Sequence, residues 1–211
     1  MASEGNGITF GELSSGRGYA SGTSTSTRCL VAGGYDPGSI TNKIEYAEIM
    51  TLGNHVDFGD LTVARNSLGA CNTPVRSVFV GGGSPSPYAG TDTIDFVVTA
   101  STGNAADFDG LAPGINRATN CHANHTRAVM ATKSGDGAYA LELVSGGNVF
   151  YFADLVEPNR DGCFNTGNMV RGVIGGGFPA YNTRMEEVMI SSGGTATDFG
   201  EMVFAVATGS S

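Results

Sequence analysis

The sequence predicts an all-β protein with the architecture of a small β-propeller, and three observations lead to it. A short motif built around phenylalanine recurs five times along the 211 residues and separates four similar units. Each unit contains short runs rich in Val, Ile, Phe and Tyr without helical periodicity, which is typical of half-buried strands. Glycine provides 33 residues, about twice its usual share, and indicates many turns between those strands.

The recurring motif has the form Phe-Gly-acid-Leu in its clearest copies, which begin at Phe10 and Phe58. Its phenylalanines lie 44 to 50 residues apart, and they are Phe10, Phe58, Phe108, Phe152 and Phe199. A period of about 50 residues with about four antiparallel strands in each period is typical of a propeller blade. A blade cannot bury both of its faces alone, so we expect four neighbouring blades closed into one ring.

We therefore expect a single domain over residues 1–211. The repeat units are expected at about 10–57, 58–107, 108–151 and 152–198, with closing segments at 1–9 and 199–211. The fifth copy of the motif suggests how the ring closes, because a strand from one terminus can complete a blade begun at the other. Closure within one chain and closure between two chains are both compatible with the sequence.

Within each unit an arginine precedes an apolar strand, and an acidic residue follows inside a second strand. The arginines are Arg28, Arg76, Arg127 and Arg171, and the acids are Glu45, Asp95, Glu142 and Glu186. A side chain repeated in every blade meets the same neighbours each time, so we interpret both sets as packing elements that hold strand ends through charge-assisted hydrogen bonds. The alternative is a catalytic or sugar-binding ring of these groups around a central channel.

The order of these pieces resembles the kelch repeat. Arg17 and Arg65 stand before the first strand of two units, apolar strands end in glycines such as Gly81-Gly82-Gly83, and the next strand carries an acid beside an aromatic residue, as in Glu45-Tyr46. Where kelch repeats usually carry tryptophan near the end of the blade, this chain has the phenylalanines of the recurring motif. A closer resemblance is to glycine-rich repeats in virion proteins of tailed phages, those of cyanobacteria especially.

The resemblance covers about residues 4–205 and implies a non-enzymatic structural component of a phage particle, located in the virion. In that setting the chain is expected to dock on other virion proteins in multiple copies, as a tail-associated or capsid-decorating protein, and to present loops for host attachment. Two alternatives stay open. One is a glycan-binding module for host-surface recognition, and the other is an enzyme acting on polysaccharide, which needs two carboxylates in one cleft.

Composition and charge narrow the range of partners. The net charge of −9 at pH 7 repels phosphate backbones, which excludes nucleic-acid binding through a general basic surface. No stretch approaches the ~18 consecutive apolar residues of a membrane-spanning helix, and the first residues have neither the basic nor the apolar region of a signal peptide. We therefore expect a protein made in the host cytoplasm, without membrane insertion, that keeps its cysteines reduced.

The segment richest in potential metal ligands is Cys-His-Ala-Asn-His at residues 121–125. It has no evident fourth ligand, so we interpret it as a polar loop and expect no metal and no cofactor. The carboxylates beside the phenylalanine motif, Asp57, Asp107 and Asp198, are interpreted as turn caps, with calcium binding as the alternative. The glycine triplets lack the Lys-Ser/Thr of a phosphate-binding loop, and no Gly-x-Ser-x-Gly elbow of a hydrolase occurs.

Aromatic residues in the loops are the candidates for contact with a partner or a glycan. Tyr35, Tyr88 and Tyr181 follow the glycine-rich strand in three units and would occupy the same loop of three blades, on one face of the ring. Tyrosine is favoured in contacts because it combines apolar area with a polar tip. Capping of the turn in which each tyrosine lies is the alternative.

Overall fold

The computed structural model of the chain describes residues 6–84, 90–110, 118–132, 137–157, 162–177 and 183–205. Their strands make four antiparallel sheets of four strands each, together with one two-stranded hairpin. The four sheets are arranged in a ring like the blades of a four-bladed propeller, which confirms the predicted all-β fold class. In this described part of the chain, no helix is long and apolar enough to cross a membrane.

Each blade is a meander of consecutive strands. Blade 1 contains β1 (Ser21–Ser24), β2 (Arg28–Ala32), β5 (Lys43–Glu48) and β6 (Val56–Asp60), with the hairpin of β3 (Tyr35–Asp36) and β4 (Ser39–Ile40) between its second and third strands. Blade 2 contains β7 (Gly69–Asn72), β8 (Arg76–Val80), β9 (Thr93–Val98) and β10 (Ala106–Gly110). Blade 3 contains β11 (Ala118–Ala123), β12 (Arg127–Thr132), β13 (Gly137–Glu142) and β14 (Phe150–Asp154). Blade 4 contains β15 (Phe164–Gly167), β16 (Arg171–Gly175), β17 (Arg184–Met189) and β18 (Thr197–Glu201).

The first strands of the blades are neighbours inside the ring, β1 beside β7, β7 beside β11 and β11 beside β15. Hydrophobic clusters fill the three junctions between these blades. Their fully buried members include Leu30 and Phe79 at the first junction, Ile94 and Met130 at the second, and Val129 and Ile174 at the third. Among the described residues, no such cluster joins blade 4 to blade 1. At the three filled junctions, neighbouring blades bury apolar surface against each other, and its removal from water stabilises the fold.

The phenylalanine of the recurring motif occupies a β-bulge in the outer strand of each blade. In blade 1 the strand register passes from Gly59 to Asp57, which leaves Phe58 as the extra residue. The same shift falls at Phe108, Phe152 and Phe199. Gly59 and Gly200 follow their bulges with φ values of +146° and +135°, a region that favours glycine, and Asp198 caps the last bulge by accepting the Gly200 N–H at 2.9 Å. The motif therefore ends each blade, and repeat units counted from the phenylalanine are offset by one strand from the blades.

Each terminus lies in or beside the blade that is nearest to it in the sequence. β18 belongs to blade 4, whose other strands directly precede it. Near the N-terminus, the backbone of Phe10–Glu12 runs beside blade 1, where the Gly53 N–H donates to the carbonyl oxygen of Phe10 at 3.0 Å. In the described residues, no strand from one terminus enters the blade of the other. The reason is that the N-terminal copy of the motif already lies along the edge of blade 1 at which the last copy would have to bind.

A substitution at Gly82 tests how closely a glycine-rich turn approaches the neighbouring backbone. The φ of Gly82 is +103°, and a Cβ at this position would lie 2.6 Å from the carbonyl oxygen of Asn66. Gly38 has a φ of +109° with no atom within 4 Å of an added Cβ. We expect Gly82→Ala to lower the free energy of unfolding by at least ~1 kcal/mol more than Gly38→Ala, because both gain backbone strain and only Gly82→Ala must displace a neighbour. Urea unfolding measures the difference, and equal losses would contradict the close approach.

Candidate functional site

Three of the four repeated arginines reach from their own blade to the next one. Arg28 Nη1 donates to the carbonyl oxygen of Ala100 at 2.8 Å, and Arg127 Nη1 donates to that of Ile190 at 2.8 Å. Arg76 makes the corresponding bond between blades 2 and 3. The accepting carbonyls lie in the turns between the third and fourth strands, and a cationic donor strengthens and orients such hydrogen bonds. The three arginines therefore join each blade to a turn of its neighbour.

The same guanidinium groups lie over aromatic rings of their own blades. The distances from the guanidinium carbon to the ring centroid are 4.6 Å for Arg28 and Tyr46, 4.8 Å for Arg76 and Phe96, and 5.0 Å for Arg127 and Phe152. Contacts of this kind contribute about 0.5–1 kcal/mol at exposed sites. The fourth arginine differs, because Arg171 is 52% exposed and its Nη1 donates at 2.8 Å to Glu187 of its own blade.

Three of the four repeated acids are buried and hold the segment that enters their blade. Asp95 accepts hydrogen bonds from the Thr62 N–H at 3.1 Å and from the Thr62 hydroxyl at 2.6 Å. The corresponding pairs in blades 4 and 1 are Glu186 with the Val156 N–H, and Glu45 with the Ser14 hydroxyl. Each of these donors comes directly after a copy of the phenylalanine motif. The acids therefore anchor the chain where it passes into the blade, and they do not form a ring of carboxylates around a channel.

Arg65 and Asp95 form an ion pair in which both side chains are fully buried. Arg65 Nη2 donates to Asp95 Oδ2 at 2.8 Å. Its Nη1 donates to the carbonyl oxygens of Gly81 at 2.8 Å and Thr93 at 2.7 Å, on the two sides of the glycine-rich turn. Burial lowers the pKa of Arg65 from its ordinary value, and the negative charge of Asp95 opposes that shift. One guanidinium group thus ties the entering segment, the turn and the third strand together.

Blade 1 repeats this arrangement with Arg17 and Glu45, and Arg17 also donates to the carbonyl oxygen of Lys43 at 3.2 Å. The residue pattern predicts a role for the arginine before the second strand and none for this earlier arginine. The signal that identifies it is the interval from arginine to acid, which is 28 residues for Arg17 and Glu45 and 30 residues for Arg65 and Asp95. That interval spans the first two strands of the blade and the glycine turn, and it ends in the third strand.

Glu142 is not the counterpart of the other three acids. It faces Arg127 across its strand pair, as Glu48 faces Arg28 in blade 1, and it accepts the Arg127 Nε–H at 2.7 Å. The position of the buried acid is taken in blade 3 by Tyr139, three residues earlier. The grouping of Glu142 with the other acids is therefore corrected by the strand register, which the approximate spacing from the arginine does not resolve.

The Cys-His-Ala-Asn-His segment forms part of a strand and the turn that follows it, where a loop was expected. β11 ends at Ala123, and Cys121 is buried in the cluster between blades 2 and 3. His122 Nε2 lies 3.0 Å from the carbonyl oxygen of Asn168, whereas His125 is exposed. The three potential ligands therefore diverge, and within the described ranges no three Cys, His or acidic side chains come together as a metal site.

Tyr35 is the one described member of the three tyrosines expected to contact a partner. It lies in β3 with its side chain 42% exposed, and its N–H donates to the carbonyl oxygen of Gly18 at 2.6 Å. Tyr88 and Tyr181 lie outside the described residues. A common face for the three tyrosines stays a prediction.

The end of the ring opposite the β3–β4 hairpin consists of the turns between first and second strands and between third and fourth strands. We call this end the turn face. Each first turn is closed by a side chain three residues before the repeated arginine, as when Asn124 Oδ1 accepts the Arg127 N–H at 2.7 Å. The corresponding residues in the other blades are Thr25, Thr73 and Asn168. This Thr/Asn-x-x-Arg pattern is a signal in the sequence that the predictions above do not use, although side-chain oxygens of this kind favour turns.

Two neighbouring grooves open on the turn face. The central groove has a volume of about 290 Å³ and is lined by first turns of all four blades, among them Ser24, Asn72, Asn124 and Met169. The groove between blades 2 and 3 has a volume of about 400 Å³ and is lined by residues that include Val75, His125, Leu143 and Val144. Hydroxyl, amide, imidazole and aliphatic groups of this kind hold a bound molecule through hydrogen bonds and apolar contact.

Large apolar side chains are exposed along the same face. Met50 is 81% exposed and Val144 is 70% exposed. The others at this end of the ring are Ile49, Leu52, Val75, Val98, Met169, Val170 and Met189.

No family model matches the chain, and no curated protein matches it. The functional assignment therefore depends on this surface and on the buried network behind it.

Arg65→Met removes one partner of the buried ion pair and leaves the Asp95 carboxylate without its cation. We expect a loss of about 3–5 kcal/mol in the free energy of unfolding. The matched control is Arg171→Met, which breaks an exposed pair with Glu187 and is expected to cost less than about 1 kcal/mol. Guanidinium chloride unfolding followed by circular dichroism measures both variants. A loss at Arg65 no larger than that at Arg171 would rule out the buried pair as an anchor of the blade.

Thiol labelling separates the buried cysteines from the part-exposed one. Burial, together with a hydrogen bond to Cys71, raises the pKa of the Cys121 thiol well above its ordinary value. Because the thiolate is the reacting form, we expect iodoacetamide to modify Cys29 at least ~10-fold faster than the buried Cys71, Cys121 or Cys163 in the folded protein. Peptide mass spectrometry over time measures the rates. Cys29→Ser is expected to abolish the fast phase, and similar rates at all four thiols would contradict the assignment.

Proposed function

We propose that this chain is a non-enzymatic structural component of a phage particle that docks onto another virion protein through the turn face. The observation that carries the proposal is the row of exposed apolar side chains on that face, from Met50 and Leu52 in blade 1 to Val170 in blade 4. Contiguous exposed apolar surface on a folded domain marks a place where another protein binds. In the described residues the opposite end of the ring has fewer such side chains, among them Tyr35 and Val63.

The groove between blades 2 and 3 gives the turn face a shape for this contact. Val75 and Val144 are its exposed apolar members, and Leu143 and His125 also line it. A partner segment that inserts one or two apolar side chains would bury them there, while hydroxyl and amide groups of the adjacent turns provide the polar rim of an interface. The net charge of −9 favours a protein partner over nucleic acid.

The arginine network supports a docking role because it holds the turns of this face. Arg28, Arg76 and Arg127 each bind a turn carbonyl of the next blade. A surface that is ordered before binding loses less conformational entropy when the partner arrives, so more of the contact energy is available for affinity. The resemblance of the glycine-rich units to repeats in phage virion proteins supports the particle as the setting.

The test removes the apolar side chains of the turn face and measures attachment to particles. We expect the triple variant Val75→Ser, Val144→Ser and Met169→Ser to lose at least ~10-fold in occupancy, because each exposed aliphatic side chain that an interface buries contributes on the order of 1 kcal/mol. Particles grown without the chain are mixed with purified protein, sedimented and analysed by quantitative mass spectrometry. These three positions are exposed in the free chain, so thermal unfolding of the variant should match that of the parent.

The matched control is the triple variant Tyr35→Ser, Val63→Ser and Val156→Ser, which removes exposed apolar side chains from the opposite end of the ring. It is expected to attach like the parent chain. Equal loss in both variants would indicate non-specific adsorption, and retention of both would reject the turn face as the docking surface. A chain that never sediments with particles would reject the structural role itself.

A glycan-binding module is the second candidate, and the central groove supports it. Ser24, Ser26 and Asn72 bring hydroxyl and amide groups to that groove, and such groups form hydrogen bonds with sugar hydroxyls. A glycan array with the purified chain and its Asn72→Ala variant distinguishes the candidates, since specific binding lost in the variant would favour host-surface recognition. The polysaccharide-degrading enzyme has less support, because the buried acids of the repeat set, such as Asp95 and Glu186, are engaged within the blades.

A further inference from the structure

The Phe-Gly-acid part of the motif is the element that fastens one blade to the next, and we call each copy a joint. The Gly53 N–H donates to the Phe10 carbonyl oxygen at 3.0 Å, and the His55 N–H donates to that of Glu12 at 2.8 Å. The same two bonds connect Phe58–Asp60 with Gly103–Ala105, and Phe152–Asp154 with Gly194–Ala196. We call the turn whose N–H groups donate to a joint the slot of its blade, and the slot of blade 1 is Gly53–His55. A joint seated in a slot is thus a repeated, backbone-defined interaction.

The last joint, Phe199–Glu201, has the backbone conformation of a seated joint, but among the described residues it is not bound in a slot. Gly200 has a φ of +135°, close to the +146° of Gly59 in the seated second joint. A Cβ on Gly59 would overlap the carbonyl oxygen of Gly103, whereas a Cβ on Gly200 would meet no atom within 4 Å. Phe199 is 50% exposed, while Phe58 is 2% exposed. The last joint is therefore preformed and unoccupied.

The reason lies at the other end of the chain. The N-terminal joint fills the slot of blade 1, where Glu12 N–H also donates to Asn54 Oδ1 at 3.0 Å. The second joint makes the same side-chain contact, from Asp60 N–H to Asn104 Oδ1 at 3.0 Å. The chain consequently carries five joints for four blades, and the last joint is the one in excess.

The repeated arginine of blade 4 likewise binds no carbonyl group of another blade among the described residues. Arg28 is 20% exposed and its Nη1 crosses to the next blade, whereas Arg171 is 52% exposed and its Nη1 turns back to Glu187. Beside Arg171 a groove of about 640 Å³ opens between Val170 and Phe199. We call the joint, the arginine and the groove of a blade, which all face the next blade, its donor surface. In the described residues no blade is seated on the donor surface of blade 4.

Blade 1 carries the matching acceptor surface. The N–H of Ile49 bonds back to the preceding turn as that of Thr99 does in blade 2, so the carbonyl groups of Ile49 and Met50 correspond to those that Arg28 binds across the first junction. Met50 is 81% exposed. The two surfaces match because each is one half of an interface that the chain builds internally, with joint and arginine bonds both present between blades 1 and 2 and between blades 3 and 4.

We propose that a second copy of this chain occupies the donor surface of blade 4. The joint Phe199–Glu201 of one copy enters the Gly53–His55 slot of the other, displaces the N-terminal joint there, and Arg171 donates to the carbonyl oxygens of Ile49 and Met50. Within one chain both joints are tethered and the N-terminal joint holds the slot, whereas a second copy adds joints in proportion to its concentration. The contact is head-to-tail, so it can extend into a ring or a filament.

This association shares Met50 and Val170 with the turn face. It does not use the groove between blades 2 and 3 or the side chains of Val75, Val144 and Met169, so the two proposals can fail separately. The exchange replaces one joint by another with the same backbone bonds. The gain is the burial of Phe199 and the two new bonds of Arg171. The exchange is opposed by loss of the tethered N-terminal joint and by the parting of blades 4 and 1, which face each other in the ring. Release of the N-terminal joint from the slot should therefore promote association.

The test releases the N-terminal joint and then blocks the last one. A Cβ on Gly11 would overlap the carbonyl oxygen of Gly53, whereas a Cβ on Gly7 would meet nothing within 4 Å. In sedimentation velocity over a range of concentrations, we expect Gly11→Ala to associate at least ~10-fold more tightly than the parent chain, and Gly7→Ala to behave like the parent. Circular dichroism and thermal unfolding confirm that each variant is folded.

A second substitution in the Gly11→Ala background identifies the surface. Gly200→Ala is expected to abolish the added association, because its Cβ would strike the slot carbonyl of the second copy as a Cβ on Gly59 would strike Gly103. Gly38→Ala is the control for backbone strain, since its φ is also positive and its surroundings are also empty; it is expected to change nothing.

Arg171→Ala tests the proposal without touching the joint, and as an exposed residue it leaves folding intact. It is expected to weaken self-association of the parent chain several-fold at high concentration. A Gly11→Ala chain that stays monomeric at all concentrations would overturn the proposal, as would association that survives Gly200→Ala. Loss of self-association in Gly11→Ala/Gly200→Ala with retained binding to particles would support the proposal and show that the two surfaces act separately.

Discussion

The entry of the chain into blades 1 and 2 depends on one buried interaction, the ion pair between an entering arginine and an acid of the third strand. Arg65 satisfies Asp95 and the carbonyl oxygens of Gly81 and Thr93 with one guanidinium group. A glycine turn has no side chain of its own with which to hold its neighbours, so a group from elsewhere must bind its backbone. Because either partner alone would be a buried, unpaired charge, the pair also penalises any other register of the entering segment.

A second set of arginines connects blades 1, 2 and 3 each to the blade that follows. Arg28, Arg76 and Arg127 place a cation on the turn carbonyls of the following blade. The bulged Phe108 and Phe152 lie beneath the second and third of these arginines. The chain has no tryptophan and only 15% charged residues, so hydrogen bonds to backbone carbonyls do much of the positioning that large side chains do elsewhere. The outcome is a set of fixed turns whose outward side chains are free to be apolar.

The sequence was sufficient for the all-β class, the four units and the importance of the phenylalanine motif, because each depends on a repeated local pattern. It was insufficient where two positions that could play the same part lie close in sequence. Glu142 and Tyr139 are three residues apart, and only the strand register shows that Tyr139 occupies the position of the acid. Likewise, residues 121–125 are polar like a loop, yet β11 ends at Ala123 because alternate side chains pack between blades.

The arrangement at the termini was the hardest feature to predict, because every joint carries nearly the same information. A repeat built from identical junctions leaves one donor half and one acceptor half over at its ends, unless the ring closes. Here the N-terminal joint covers the acceptor half on blade 1, and no described residue covers the donor half at Phe199 and Arg171. Which copy of the joint fills the slot is then a competition between tethered and free segments, set by concentration and chain entropy. That competition is absent from the residue pattern, and it makes the last blade the place where this fold meets a further copy of itself.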